Sequence, residues 1–466
     1  MIGTLFKRVK EVHFVGIGGV GMSGIAEILL ALGFRVSGSD VKASAVTQRL
    51  EQMGALIGIG HHRDNLGTAD VAVYSSAIPM DNPELEAARE LHVTVIPRAE
   101  MLAELMRMQT SVAVAGMHGK TTTTSMIASV FSAAGLDPTV VIGGKLNSIG
   151  GGARLGQGDL LVAEADESDR SFLRLFPTIA IVTNLDLEHL DCYSCMEEIR
   201  DAFLEFINLV PFYGYAILCL DDPEVQKLIP SIKKRFITYG TAAQAFIRAR
   251  KVRFEGGRSI FTVLRDNETL GEIRLPMPGF HNVLDSLAAI AAADVFEVPF
   301  EQTKNALESF GGVQRRFTLR GVAAGVSVID DYGHHPTEIK MVLQAAGQVA
   351  QGRVAVLFQP HRYTRTQALF EDFITALMDA DLLYIMDIYA ASEKPVEGVT
   401  AKALCEAIRH RGHNTARFMP VREDIPAEIS RAVRPGDMVI TLGAGDVTHL
   451  GESILEALRR KESTSI

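Results

Sequence analysis

Ser111-Val112-Ala113-Val114-Ala115-Gly116-Met117-His118-Gly119-Lys120-Thr121-Thr122-Thr123-Thr124 is the stretch that decides the fold. Its small and β-branched opening, Ser111–Ala115, reads as a buried strand, and the chain after Lys120 reads as a helix. Between the two lies most of a phosphate-binding loop. Val114 stands where the full pattern has its first glycine. The working parts remain: Gly119 frees the backbone to wrap a phosphate, Lys120 can neutralise β and γ phosphates, and Thr121 can ligate magnesium. Gly116, Met117, His118 and Thr122 complete the predicted cradle.

Upstream, Val12–Gly16 reads as a strand and Gly21–Leu32 as a helix, joined by Gly16-Ile17-Gly18-Gly19-Val20-Gly21. This G-x-G-x-x-G predicts backbone amides placed against a pyrophosphate at a helix N-terminus, with Gly16, Gly18, Gly19 and Gly21 permitting the approach. Asp40, after the next strand, is where a ribose-binding acid is expected. Taken alone, this loop fits a nicotinamide-dependent oxidoreductase. That reading leaves Gly116–Thr121 unexplained. A nucleotide-operated switch would explain the second loop and leave the rest of the chain idle.

Working outward, the chain of 466 residues is long enough for several domains. Short apolar runs alternate with amphipathic helices, which predicts α/β architecture with parallel sheets. A fresh strand at Ser111 puts the first boundary after residue 108. Gly311-Gly312 marks the second, giving blocks 1–108, 109–312 and 313–466. Residues 236–275 read as short alternating strands, and His281–Phe296 as a long helix.

With 46 Lys and Arg against 56 Asp and Glu, the net charge of −10 argues against nucleic acid or an anionic membrane as partner. The segment Met1–Phe14 lacks a signal-like apolar stretch, and Leu287–Ala293 is too short to span a bilayer. The four cysteines form no dense framework, so a cytoplasmic location is expected. Cys192 and Cys195 read as two half-buried thiols one helical turn apart, not a zinc site.

Two acid clusters follow the phosphate loop. Leu160–Ala163 runs into Glu164-Ala165-Asp166-Glu167-Ser168-Asp169, and Ile179–Thr183 into Asn184-Leu185-Asp186-Leu187-Glu188-His189-Leu190-Asp191. Acids at adjacent strand ends behind a phosphate loop suit a metal site. In the third block, Asp330-Asp331-Tyr332-Gly333-His334-His335-Pro336 and Gln359-Pro360-His361-Arg362-Tyr363-Thr364-Arg365 also follow strands. Arginines there can grip a carboxylate or phosphate bidentately.

Two nucleotide-type loops followed by a third α/β block resemble the Mur ligase family. The resemblance rests on His13–Ala26, Ser75-Ser76-Ala77-Ile78, Gly116–Thr124, Glu164–Asp169 and the segment around His189. Pro278–Asn282, Gln314–Phe317, Asp330–Glu338 and Gln359–Thr366 extend it through nearly the whole chain. It implies three domains: a Rossmann-like domain for a UDP-sugar, a central ATP-binding domain, and a Rossmann-like C-terminal domain that closes over ATP and binds the amino acid. It implies ATP-dependent joining of L-alanine to the carboxylate of UDP-N-acetylmuramate through an acyl phosphate, in peptidoglycan precursor synthesis. The murein peptide ligase of the same family is the alternative, although its first loop and Asp-Asp segment differ from those here.

The resemblance also implies roles. Lys120 and Thr121 serve ATP phosphates and Mg2+, with Glu164 and His189 as further metal ligands. Asn282, Arg315, Arg316 and Asp331 fall near the nucleotide. Ser75, Ser76, Arg98 and Ser168 fall on the UDP-sugar side. Tyr332, His334, His361, Arg362 and Arg365 fall on the L-alanine side, and Lys120, His189, His361 and Arg365 are the expected catalytic set. Three positions depart from the family pattern: Met117 replaces Thr, Asp285 replaces Asn, and Cys192 replaces a larger polar residue. No lysine lies between Lys145 and Lys227, and Phe203 falls near the place where sister enzymes carry a carbamylated lysine, so no carbamate is expected there.

Overall fold

A computed structural model of the chain describes residues 9–75, 77–146, 151–189, 192–391 and 393–464. Two compact units divide the chain: Met1–Lys251 with Phe261–Ile273 and Leu284–Gly311, and Val252–Ile260 with Arg274–Val283 and Gly312–Ile466. The fold class is the expected one, with parallel strands and helices built around three sheets.

The first sheet is wholly parallel, in the order Leu56–Ile59, Arg35–Asp40, Glu11–Val15, Val71–Tyr74, Thr94–Pro97. Glu11–Val15 is central because all five of its residues are buried. Its order reverses there, so the loop after Val15 opens at the switch point where open α/β sheets bind ligands. The two edge strands escaped the sequence reading because they are four residues long and half exposed.

The second sheet has Thr110–Ala115 between Ile179–Val182 and Leu160–Glu164, all parallel. The phosphate loop and both acid clusters therefore leave neighbouring strand ends. Residues 236–275 form the expected short strands at one edge, Phe236–Gly240, Ile247–Glu255, Arg258–Arg265 and Glu268–Leu275. At the other edge the hairpin Thr139–Leu146 and Gly151–Arg154 packs against the helix Val20–Ala31. Met22, Ile25 and Leu102 of the first block share one apolar core with Val141, Ala153 and Leu161 of the second. That common core joins the first two blocks into one unit. Phe203 lies in the same core, its ring 5.1 Å from Phe172.

The third sheet runs Thr318–Ala323, Val326–Asp331, Met438–Leu442, Val354–Phe358, Leu382–Ile385, Arg417–Phe418. Only the first pair is antiparallel. Its strands Val326–Asp331 and Val354–Phe358 flank Met438–Leu442, which brings the two histidine-bearing loops to the same end. The helix Pro336–Val349 starts sharply. His335 accepts from the Thr337 amide while Glu338 reaches back to the His335 amide, and Pro336 sits where no amide is needed. Cys192 lies in a turn and Cys195 is the N-cap of Met196–Asn208, so the two half-buried thiols are not a turn apart on one helix. Among the described residues, no helix is long and apolar enough to cross a membrane.

One buried carboxylate ties the first sheet together. Glu84 is fully buried and accepts from His13 Nε2 at 2.9 Å, Ser39 Oγ at 2.7 Å, Asn65 Nδ2 at 2.9 Å and the His62 amide at 3.1 Å. Burial pushes its pKa up, but the hydrogen bonds from His13, Asn65 and Ser39 outweigh burial and hold it at about 2, against an ordinary 4.5. A carboxylate so depressed contributes stability above its unfolded pKa and loses it as pH falls towards the folded value. The shift corresponds to about 3 kcal/mol. Glu84→Gln should therefore destabilise the first unit by about that amount at pH 7. The gap between parent and variant in denaturant unfolding should close as pH drops below about 4.5. A gap that ignores pH contradicts the assignment.

Candidate active site

The phosphate loop is held from outside by the second acid segment. Thr183 Oγ1 donates to the His118 carbonyl at 2.7 Å, and Asn184 Nδ2 donates to the same oxygen at 2.9 Å. Asn184 Oδ1 accepts from the His118 amide at 2.8 Å, and His118 Nε2 lies 2.9 Å from Asp186. Gly119 caps the helix Lys120–Ala133 in the left-handed region at φ 81°. A side chain there would strain the backbone and meet Asp285 Oδ1 at 2.5 Å. Asp285 also accepts from Thr123 Oγ1 at 3.1 Å. The family departure at Asp285 is thus a brace under the loop. Met117 is buried in the core, and only its carbonyl faces the loop interior, accepting from Lys120 at 3.2 Å.

Lys120 curls over the loop and donates to the Gly116 carbonyl at 2.5 Å and to Glu167 Oε1 at 2.7 Å. Burial would lower the lysine pKa, but Glu167, and more weakly Glu188 and Glu164, outweigh it and hold the ammonium charged. Glu167 is 1% exposed and also lies 3.3 Å from His189 Nε2. His189 takes a left-handed φ of 55° to reach it. Glu167 was not among the expected site residues. The cluster Glu164–Asp169 signalled acids near a metal, but which of them would meet Lys120 depends on the chain's path after the strand. Thr121, half-buried, and Thr122, buried, are the second and third residues of the helix Lys120–Ala133.

The first glycine loop holds its own shape. The Gly16 and Ile17 amides donate to the Ser39 carbonyl, Gly19 donates to Gly16, and Gly18 donates to Asp40 Oδ2 at 2.9 Å. In this structure these amides are taken by the neighbouring strand Arg35–Asp40 and by the Gly16 carbonyl. Asp40 likewise has the loop amide as its partner. Arg98 lies across Gly21, with Nη1 2.6 Å from where a Cβ would stand.

Arg98 in turn bridges to Asp166 at 2.8 Å. Burial pushes the Asp166 carboxyl up, but Arg98 and the Ser168 hydrogen bonds more than offset it and hold it below its ordinary value. Ser168 donates to Asp166 Oδ1 at 2.6 Å, so it orients that acid. One cavity of about 360 Å3 joins these parts, lined by Gly19, Gly21, Ser75, Arg98, Lys120 and Glu164 among others. Ser76, expected beside Ser75, lies outside the described residues.

The second unit gathers Tyr332, His334, His361 and Arg365. The rings of Tyr332 and His334 are 5.3 Å apart and those of His334 and His361 5.7 Å. Arg365 Nη1 lies 3.3 Å from His361 Nδ1. Tyr389, absent from the sequence reading, stacks on His361 at 5.5 Å, and its carbonyl accepts from the Arg362 amide. Arg362 takes a left-handed φ of 69° there.

The four residues expected near the nucleotide all have partners within the protein. Arg315 donates to the Gly443, Gly445 and Ala444 carbonyls, which pins a loop far away in sequence. Asp331, 4% exposed, accepts from the Gly333 and Phe317 amides and shapes two turns. Burial raises its pKa to about 6. Asn282 is 2% exposed and donates to the Pro278 carbonyl at 2.6 Å. Arg316 pairs with Glu338 at 3.3 Å and lies over the Tyr332 ring.

Two glycine-bearing loops on one cavity, with acids at the neighbouring strand ends, are an arrangement that suits a nucleotide-using transferase or ligase. Family models match in order: the Mur ligase family catalytic domain over residues 11–110, the middle domain over 114–293, and the glutamate ligase domain over 315–445. The chain belongs to the Mur ligase family. It is similar to the UDP-N-acetylmuramate–L-alanine ligase of Syntrophotalea carbinolica, 55% identical over 98% of this chain and 100% of that protein. The protein of that name from Pelobacter propionicus is 56% identical over the same shares. A crystal structure of UDP-N-acetylmuramate–alanine ligase from Thermotoga maritima superposes with a TM-score of 0.80 at 30% identity, covering 97% of this chain and 99% of that one.

Gly119→Ala should abolish ATP binding in calorimetry, because strain and the Asp285 clash act together at the phosphate cradle. Binding of the UDP-sugar at the first loop should persist. ATP binding within tenfold of the parent would show that Gly119–Thr121 is not the cradle.

Proposed function

We propose that the chain is an ATP-dependent ligase that forms an amide between the carboxylate of UDP-N-acetylmuramate and the amine of L-alanine, releasing ADP and phosphate, in the cytoplasmic synthesis of peptidoglycan precursors. The single observation that carries this reading is the cavity shared by Gly19, Gly21 and Arg98 on one side and Lys120 and Glu164 on the other. An oxidoreductase has no use for a phosphate loop opening on its substrate site. A switch has no use for the first loop. The full-length likeness to relatives bearing the L-alanine ligase name supports that activity over murein peptide ligation.

A carboxylate is a poor electrophile, so it is activated first. Its oxygen attacks the γ-phosphorus of ATP, and the charge that develops on the transferring group is what a protein can stabilise. Lys120 lines the cavity and stays charged, which supports giving it that task. To serve phosphate it exchanges Glu167 and the loop carbonyls for phosphate oxygens. Arg98, set against Gly21, suits the sugar's anionic groups. The alanine amine then attacks the acyl carbon and phosphate leaves.

Thr121, Glu164 and His189 would hold Mg2+. The donor set fits: it offers hydroxyl and carboxylate oxygens for a hard cation. Beside it Oε2 of Glu167 is buried without a hydrogen-bond donor among the described residues. A cation held there would supply positive charge to offset that of the ATP phosphates. We assign residues 1–108 to the UDP-sugar, 109–312 to ATP and 313–466 to the amino acid.

The deciding assay is phosphate release from ATP with UDP-N-acetylmuramate, with and without L-alanine. The reading requires both. Release indifferent to either overturns it, and a nicotinamide absorbance change would point to the oxidoreductase. Lys120→Ala should lose ligation by several orders of magnitude, and Glu164→Gln and His189→Ala should each raise the Mg2+ concentration giving half-maximal rate. Unchanged Mg2+ dependence in both variants rules them out as ligands. Arg365→Ala should raise KM for L-alanine, lowering its specificity constant by about 30- to 1,000-fold, while acyl phosphate formation is kept. A variant unable to form acyl phosphate would place Arg365 on ATP instead.

A further inference from the structure

The buried Glu84 carboxylate has no part in the proposed chemistry, yet its hydrogen bonds lead to the first glycine loop. Two serines of the strand Arg35–Asp40 face it, two residues apart and so on one side of the sheet. Ser37, 6% exposed, reaches it through an imidazole: Ser37 Oγ lies 3.0 Å from His13 Nδ1, and His13 Nε2 lies 2.9 Å from Glu84. Ser39, fully buried, meets the carboxylate directly at 2.7 Å. A carboxylate can only accept, so the one hydroxyl hydrogen of Ser39 goes to Glu84. Its oxygen then accepts from His61 Nδ1, 3.0 Å away. The hydroxyl is fixed from two sides.

The two serines differ in what their backbones carry. Ser37 sits within the strand ladder, opposite His13. The Ser39 carbonyl accepts from the Gly16 and Ile17 amides, both at 2.9 Å. Its neighbour Asp40 accepts from the Gly18 amide at 2.9 Å. We infer that Ser39 is a positioning residue of the UDP-sugar site: its hydroxyl anchors the strand end on Glu84, and its carbonyl passes that position to the glycine loop and so to the cavity wall at Gly19 and Gly21. The inference rests on the placement of the UDP-sugar at the first loop proposed above. Ser39 is fully buried, so it acts through the loop and touches no substrate.

The anchor suits the task. Glu84 also accepts from Asn65 Nδ2 at 2.9 Å and from the His62 amide at 3.1 Å, which ties it to the segment after Leu56–Ile59. Against burial, the hydrogen bonds from His13, Asn65 and Ser39 hold its pKa at about 2. It is therefore ionised, and a bond to an ionised acceptor is shorter and stronger than one between neutral groups. A glycine has no side chain with which to fix its own path. The course of Gly16–Gly19 therefore depends on the acceptors from which its amides hang.

Ser39→Ala and Ser37→Ala are compared with the parent. Each removes one hydroxyl from the same buried network, and urea unfolding measures what each loses in stability. Binding of UDP-N-acetylmuramate is followed by calorimetry at a temperature where all three are folded, and kcat and KM are taken for each substrate. Ser39→Ala should weaken UDP-N-acetylmuramate binding about tenfold. Its KM for that substrate should rise to match, with kcat and the KM for ATP within about twofold of the parent. Ser37→Ala should keep the affinity within about twofold, because a site that is fully folded binds as before however much stability is lost. Ser39→Cys, with a weaker donor, should fall between the parent and Ser39→Ala. A rise below about threefold in Ser39→Ala, an equal rise in Ser37→Ala, or a loss of kcat with KM kept overturns the assignment. If the alanine variant does not fold, an unchanged affinity in Ser39→Cys overturns it instead. A parent that binds no UDP-N-acetylmuramate overturns the placement of the sugar and the proposed function with it, a result recognisable without any variant.

Discussion

Glu167 is a carboxylate with almost no access to water, and such a group must be matched by opposite charge at short range. It is matched by Lys120 at 2.7 Å and His189 at 3.3 Å. Much follows from this. The lysine of the phosphate loop keeps its charge despite burial, as the proposed phosphoryl transfer requires. The strand end after Leu160–Glu164 is bound to the loop after Thr110–Ala115. The backbone carbonyl of Glu167 is held as well, by the hydroxyl of buried Tyr193 at 2.8 Å. Removing one member of a buried pair leaves the other uncompensated at a cost of about 3–5 kcal/mol, so Lys120 can leave Glu167 only for an equally anionic partner. In the proposed function the ATP phosphates would be that partner.

The second constraint is geometric. In-line attack of a carboxylate on phosphorus rewards fixed placement of the two reactants. The first two sheets share an apolar core, and Arg98 on one is paired with Asp166 on the other. The first glycine loop is rigid by its own hydrogen bonds, tied through Ser39 to the buried Glu84 network. The parts that must meet are therefore held on one body. Within the second unit, aromatic stacking and one arginine hold two imidazoles.

The glycine loops, the alternation of strands and helices, and the residues of the shared cavity were legible in the sequence. Each depends on few residue types at short spacing beside a strand end. Long-range partners were not legible. Arg315 looks like a phosphate ligand, yet its guanidinium closes on the Gly443–Gly445 carbonyls, more than a hundred residues onward. Asp331 looks like a nucleotide contact and instead gathers two backbone amides across a turn. Asp285 reads in the sequence only as a departure from the family's Asn, and its contacts with Gly119 and Thr123 reveal a brace. Glu164 and Glu167 are indistinguishable as letters. The chain's turn after the strand decides which one meets Lys120.

The central claim, that a carboxylate oxygen attacks the terminal phosphate of ATP in the cavity between the two loops, is tested most directly by heavy-oxygen transfer. UDP-N-acetylmuramate labelled in its carboxylate is turned over with ATP and L-alanine, and the released phosphate is analysed by mass. The account predicts that each phosphate carries one oxygen from the carboxylate, since that oxygen bridges carbon and phosphorus in the acyl phosphate. Phosphate free of label, with both heavy oxygens lost elsewhere or retained, would contradict it.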